Sequence, residues 1–118
     1  MGAGGIVSTL QDWAIWDAAL DGERVLSRRA MAQVFAPAAA IPNVKGVMYG
    51  FGIGMGEIAG VRRQGHSGST QGFSARYSRY PDRHVAVLVL GNAHPANLNP
   101  IEAVVVRHAL PELKATAP

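Results

Sequence analysis

The stretch Gly65-His66-Ser67-Gly68-Ser69-Thr70-Gln71-Gly72 runs directly into Phe73-Ser74-Ala75-Arg76-Tyr77-Ser78-Arg79-Tyr80, Pro81-Asp82-Arg83 and His84-Val85-Ala86-Val87-Leu88-Val89-Leu90. Its outer parts read as strands, over Val61 to His66, Gly72 to Tyr80 and His84 to Leu90. The Pro81-Asp82-Arg83 turn, whose proline presets φ, joins the last two. Successive strands with short connections imply an antiparallel meander. Val85 to Leu90 is apolar at every position, the pattern of a strand covered on both faces inside a sheet.

Outward from that stretch, Val47 to Met55 alternates Tyr49, Phe51, Ile53 and Met55 with Gly50, Gly52 and Gly54. It reads as a strand with one bulky and one bare face, the bare one closely approached. Ala38 to Lys45 reads as a loop. Ser8 and Thr9, with Gln11 and Asp12 three residues on, have the spacing of a capping box and predict a helix from about Leu10 to Leu20. Trp13, Trp16 and Leu20 form its expected buried face, and Asp21-Gly22 its left-handed stop. Ser27 caps a second helix with Met31, Val34 and Phe35 inward, ended by Pro37. Asn99, Pro100 and Glu102 open a final helix to about Leu110, after which Glu112 to Pro118 reads as a frayed tail. The fold class is therefore α+β, helices flanking an antiparallel sheet of three to four strands, in a single segment spanning residues 1–118.

Composition removes several functions. Net charge is +3 and charged residues make up 16% of the 118, against roughly 25% in ordinary domains. That is too modest for an electrostatic nucleic-acid surface. The arginines and tyrosines of the central strands imitate one, yet alternation puts Arg76 and Arg79, and likewise Tyr77 and Tyr80, on opposite faces. There is no cysteine, hence no disulfide framework or thiolate metal site, and the compartment stays open. No apolar run reaches the roughly 18 to 20 residues of a membrane span, and Met1 to Thr9 has no basic residue ahead of an apolar stretch, so it is no secretion signal. His66, His84, His94 and His108 lack ligand spacing, so no metal site is expected. Neither the Walker pattern nor a dinucleotide fingerprint is met, so no cofactor is expected.

Two readings of Gly65 to Gly72 stand on residue types. One is a glycine-rich bend whose hydroxyls satisfy local backbone groups. The other is a substrate-binding strand edge, where small side chains admit a ligand and bare N–H groups face an anion.

Four ordered pieces add to this: Ala3-Gly4-Gly5-Ile6-Val7-Ser8-Thr9 with Asp12, Tyr49-Gly50-Phe51-Gly52, Gly65 to Phe73, and Val85 to Asn92. In that order and spacing the chain resembles the C-terminal part of the serine β-lactamase and penicillin-binding protein family, most closely its class C β-lactamase, DD-carboxypeptidase and esterase branch. The resemblance spans Gly2 to about Leu110. Of the three motifs it implies, only the third, here His66-Ser67-Gly68, is present; no serine has lysine three positions on, and no tyrosine has Asn or Ser two positions on. By resemblance, His66 takes the catalytic cation position and Ser69 supplies a backbone N–H to an oxyanion hole. Ser67, Gly68 and Thr70 then contact substrate, with Ser67 offering its hydroxyl. The only base beside Ser67 and Ser69 in sequence is His66, on the alternate face of an extended segment.

The implied function is that of a C-terminal piece of a serine hydrolase, inactive by itself. Its parent reaction would be acyl transfer to water on a β-lactam, a D-alanyl peptide or a carboxylic ester, without metal or cofactor. The resemblance also implies that Val85 to Leu90 normally pairs with an N-terminal strand. Lacking it, this strand is expected to be an exposed edge that recruits a second copy or the missing half. The alternative function is a noncatalytic assembly module using that edge.

Overall fold

The computed structural model describes residues 4–116. Ala3 of the first matching piece, the start of the Met1 to Thr9 segment, and Ala117 and Pro118 of the expected tail lie outside the described residues. The first helix, α1, spans Leu10–Leu20, with Thr9 extended at its N-cap and accepting from the Asp12 N–H. The Thr9 hydroxyl also donates to the Asp12 carboxylate at 2.9 Å, completing the box read from the sequence. The second helix, α2, spans Arg28–Val34, capped by Ser27 through the Ala30 N–H.

One six-stranded antiparallel sheet follows, in the strand order of the chain. Its strands are β1 (Ala39–Ala40), β2 (Met48–Tyr49), β3 (Gly54–Ile58), β4 (Val61–Thr70), β5 (Phe73–Tyr80) and β6 (Val85–Gly91). The final helix, α3, spans Asn99–Ala109.

The meander is as expected, but the count of three to four strands is too low. Two added strands have only two residues each, too short for any period to register. One of them, β1, lies in the segment read as a loop and pairs Ala39 with Tyr49. The single strand expected over Val47 to Met55 is a hairpin instead. It folds at Gly52, whose φ is +78°, and the Gly50 N–H donates to the Ile53 carbonyl at 2.9 Å. Close approach to the bare face does occur at Gly50, where a Cβ would lie 3.0 Å from the Ala36 carbonyl.

Register assigns the two faces of the sheet. Val61, Tyr80 and Val87 share one face and pack with Val106, Leu110 and Leu113, flanked by Val85 and Val89. Burying each such aliphatic side chain stabilises by about 1.5–3 kcal/mol, so α3 is held by this stripe. On the other face Trp13 of α1 packs on Tyr77, ring centroids 4.9 Å apart, and the Arg79 guanidinium lies over the Phe35 ring after α2. The result is helix, sheet and helix in three layers.

Strand β6 is not covered on both faces as expected: Val87 is buried, with Val85 and Val89 packed against the α3-side core, whereas Ala86 and Leu90 on the other face are exposed, Leu90 by 46%. Among the described residues it is an end strand paired only with β5. Other details depart from expectation. Trp16, expected on the buried face, is 45% exposed, whereas Trp13 packs on Tyr77. Asp21 ends α1 in a right-handed conformation, not a left-handed one. The N-cap position of α3 is Leu98, which makes no side-chain capping bond, while the Asn97 side chain just before it accepts from the Asn99 N–H at 3.1 Å. The tail is helical through a 3-10 segment, Pro111–Thr116, whose Leu113 is buried.

Candidate active site

The last pairing between β3 and β4 is Gly54 with Gly65. Strand β4 continues five residues further, to Thr70, held among the described residues only by β5 from Ser78 opposite Gly65 to Phe73 opposite Thr70. The segment Gly65 to Thr70 is therefore strand and not a bend. The bend is confined to Gln71 and Gly72, at φ +37° and +93°.

Which backbone groups face the open side follows from the two hairpins. A two-residue turn with both central φ positive places the flanking residues in a hydrogen-bonded pair. Thr70 and Phe73 flank one such turn, so Thr70, Gly68 and His66 direct their N–H and C=O to β5. Ile58 and Val61 flank the other, built on Ala59 and Gly60 at φ +54° and +75°. Val61, Arg63 and Gly65 therefore direct theirs to β3. Both turns give one phase: Ser67 and Ser69 point their N–H groups to the side where β3 has ended. Gly65 marks the junction, since a Cβ there would sit 2.4 Å from the Tyr77 carbonyl oxygen.

Side chains divide by face. His66 lies with Tyr77 on the α1 side and shares a hydrogen bond of 2.8 Å between its Nε2 and the Tyr49 hydroxyl. Ser67 and Ser69 lie on the α3 side, opposite Arg76 and Ser74. Gly68 and Thr70 share the His66 face. The sequence-derived residues thus form one strand segment, but His66 is not brought to the serine hydroxyls.

The base that does reach Ser69 is His94, 25 residues away, whose Nδ1 lies 2.5 Å from the Ser69 hydroxyl. This corrects the reading of His66 as the only nearby base. Neither His94 nor Tyr49 had been singled out for a role. Tyr49 carried a signal as part of Tyr49-Gly50-Phe51-Gly52, whereas nothing local to His94 predicts its partner.

Beside the serines is a cleft of about 320 Å³, lined among others by Ser67, Ser69, Ser74, Arg76, Asn97 and Asn99. A larger hollow of about 440 Å³ lies along α3, lined by Val104, Val105, Arg107, His108 and Ala109.

Glu102 of α3 anchors the floor of this region. It accepts from Arg76, from Ser78 and, at 3.2 Å, from Arg63. Burial pushes its carboxyl up, but the bonds from Arg76 and Ser78 and the charge of Arg63 outweigh this and hold it below the usual range. On the α1 side, Asp17 accepts from the Tyr77 hydroxyl, and Asp21 accepts from Arg79, which is 3% exposed. Burial, then the bond to Asp17, raises the Tyr77 pKa. These ties commit Arg76 and Arg79 to opposite layers. Among the described residues no group of three or more His, Asp or Glu converges to hold a metal, and no helix is long and apolar enough to cross a membrane.

With this geometry in view, the chain can be set beside known proteins. A chain of the octameric penicillin-binding protein homologue from Pyrococcus abyssi superposes with a TM-score of 0.80 at 21% identity, covering 88% of this chain and 24% of that one. The fold is penicillin-binding-protein-like. A D-stereospecific amidohydrolase from Streptomyces sp. has the same fold, with a TM-score of 0.70 at 24% identity over 93% of this chain and 31% of its own. In sequence, a D-aminopeptidase from Cereibacter sphaeroides is 28% identical over 110 residues, 93% of this chain and 21% of the relative. One from Brucella ovis is 30% identical over 112 residues, 87% of this chain and 20% of the relative. The chain spans about a fifth of the length of the curated relatives it matches. No protein-family model matches the sequence. The likenesses give the penicillin-binding-protein-like fold and do not single out the class C β-lactamases.

Proposed function

We propose that these residues form the substrate-facing strand of a serine hydrolase whose nucleophile lies outside the 118 residues, acting on the amide or peptide of a D-amino acid. The observation that carries this is β4 outrunning β3, which turns the Ser67 and Ser69 N–H groups toward an open edge. A substrate laid along that edge meets two N–H donors in place of a neighbouring strand. A preorganised donor aimed at a developing oxyanion is worth about 100 to 1000-fold in turnover. In this reading Ser69 gives the oxyanion donor. His66, fixed by Tyr49, faces the reacting groups from the α1 side, while Ser67, Gly68 and Thr70 line the substrate. The preference for D-amino acid amides over β-lactams or simple esters rests on the names of the relatives. The class C, carboxypeptidase and esterase branch remains part of the proposal as the source of the His66-Ser67-Gly68 motif.

The test is to coexpress the chain with a Cereibacter D-aminopeptidase from which the matching stretch is deleted, and to assay D-alanine p-nitroanilide. A copurified complex should hydrolyse it, and His66→Ala should reduce the rate at least 10-fold. A copurified complex without activity would contradict the proposal.

A second reading has its own observation. Strand β6 carries seven residues without charge or proline and, among the described residues, is paired on one side only. Such an edge offers strand addition to a second copy or to the completing segment, and the Pyrococcus neighbour is described as octameric. Sedimentation velocity should show a concentration-dependent dimer; a strict monomer at high micromolar concentration would contradict this reading.

A further inference from the structure

We infer that the Ser69 hydroxyl and His94 form a nucleophile and base pair in their own right, opening on the cleft beside α3 and reactive toward small activated acyl compounds. This goes beyond the function proposed above, which uses only the backbone of Ser69.

The Ser74 hydroxyl donates to the Ala93 carbonyl at 2.8 Å, which commits its one proton. The contact of 3.3 Å between the Ser69 and Ser74 hydroxyls is then one in which Ser69 donates. Its proton has a second and nearer acceptor in His94 Nδ1 whenever that nitrogen is bare. A hydroxyl whose proton rests against an imidazole nitrogen is the arrangement that activates serine.

The surroundings complete a site. His94 follows Ala93, so the Ser74 to Ala93 bond pins the loop that carries it. The cleft of about 320 Å³ begins at Ser67 and Ser69 and is lined by Arg76, Asn97 and Asn99, enough for a short acyl group. The Arg76 guanidinium is fixed by Glu102, and the two asparagine amides add neutral donors. These groups favour negative charge developing on a carbonyl oxygen in the cleft.

In the forward step Ser69 Oγ attacks the carbonyl carbon of an activated ester and its proton passes to His94 Nδ1. The bond to the leaving alkoxide breaks, and that group takes the proton from His94. Water then attacks the acyl-serine, gives a proton to His94, and Ser69 Oγ leaves and recovers it. Water is the only co-reactant.

The experiment uses the chain alone, so it does not depend on any nucleophile supplied from elsewhere. The purified chain is exposed to an alkyl fluorophosphonate, and intact mass and peptide mapping locate the adduct, formed as fluoride leaves phosphorus. One adduct on Ser69 is expected, absent in Ser69→Ala. His94→Gln should slow labelling by about 100-fold, in the range of general-base effects. Ser8→Ala and His108→Gln should label at the original rate, and circular dichroism of each variant reports whether it is folded. No adduct on the folded chain, an adduct elsewhere, or undiminished labelling of folded His94→Gln would overturn the inference.

Discussion

Replacing Glu102 by glutamine should cost about 3 kcal/mol of folding stability. Glu102 is 6% exposed and accepts three bonds on two oxygens: Arg63 and Ser78 share Oε1, and Arg76 takes Oε2. Glutamine keeps the shape and one acceptor but turns the other oxygen into a donor facing either the Arg76 or the Ser78 donor. Ser78 is fully buried and cannot turn to water, whereas the arginine side chains are 22% exposed. Breaking a buried ion pair by removing one partner costs about 3–5 kcal/mol, and this partial exposure argues for the low end. At this chain length that is a fall in Tm of about 12 °C. Urea unfolding is the assay, with an unchanged m-value showing that the compared states are the same. The pH dependence adds a second arm. Because the folded carboxyl is held below its usual range, its contribution is full well above about pH 4.3, the ordinary glutamate value, and is lost as pH falls through the lower folded value. The gap between wild type and Glu102→Gln should therefore narrow on acidification. A difference under about 1 kcal/mol at neutral pH, or a gap constant down to acid unfolding, would refute the reasoning.

Gly65→Ala should destabilise by about 1–3 kcal/mol, because its Cβ would lie 2.4 Å from the Tyr77 carbonyl oxygen and 3.2 Å from the Ser78 Cα, both backbone; a urea midpoint unchanged from wild type would contradict the close approach. Thr9→Ala removes the side chain that accepts from the Asp12 N–H and should cost about 1 kcal/mol, read as a lower Tm with a weakened Trp13 environment in near-ultraviolet circular dichroism.

What was legible in the sequence was whatever is set by neighbours along the chain. The caps at Thr9 and Ser27 satisfy N–H groups three residues away, so a short window contains both partners. The turns around Pro81 and the alternation in β5 are local in the same sense. The departures come from tertiary contact. Trp16 has helical spacing from Trp13, yet Trp13 packs on Tyr77 while Trp16 is 45% exposed, so amphipathic period did not predict burial. The all-apolar run of β6 reads as an interior strand, yet among the described residues it is an end strand whose one face packs on the α3-side core while Ala86 and Leu90 on the other are exposed. Gly65 to Thr70 looked like a bend because its residues are small and polar, and it is strand because β5 pairs with it throughout. At the candidate site the strand segment was legible, but its partners were not. Tyr49 and His94 reach His66 and Ser69 across 17 and 25 residues, and only the sheet and the loop after β6 bring them there.

The most direct test of the open strand edge is amide hydrogen exchange across residues 61–70, followed by NMR. Arg63 and Gly65 should be protected by β3, and His66 and Gly68 by β5, while Ser67 and Ser69 exchange with little protection. That alternation is the signature of N–H groups turned toward an unoccupied edge. Protection of Ser67 and Ser69 equal to that of Gly68, or the opposite phase, would contradict the account.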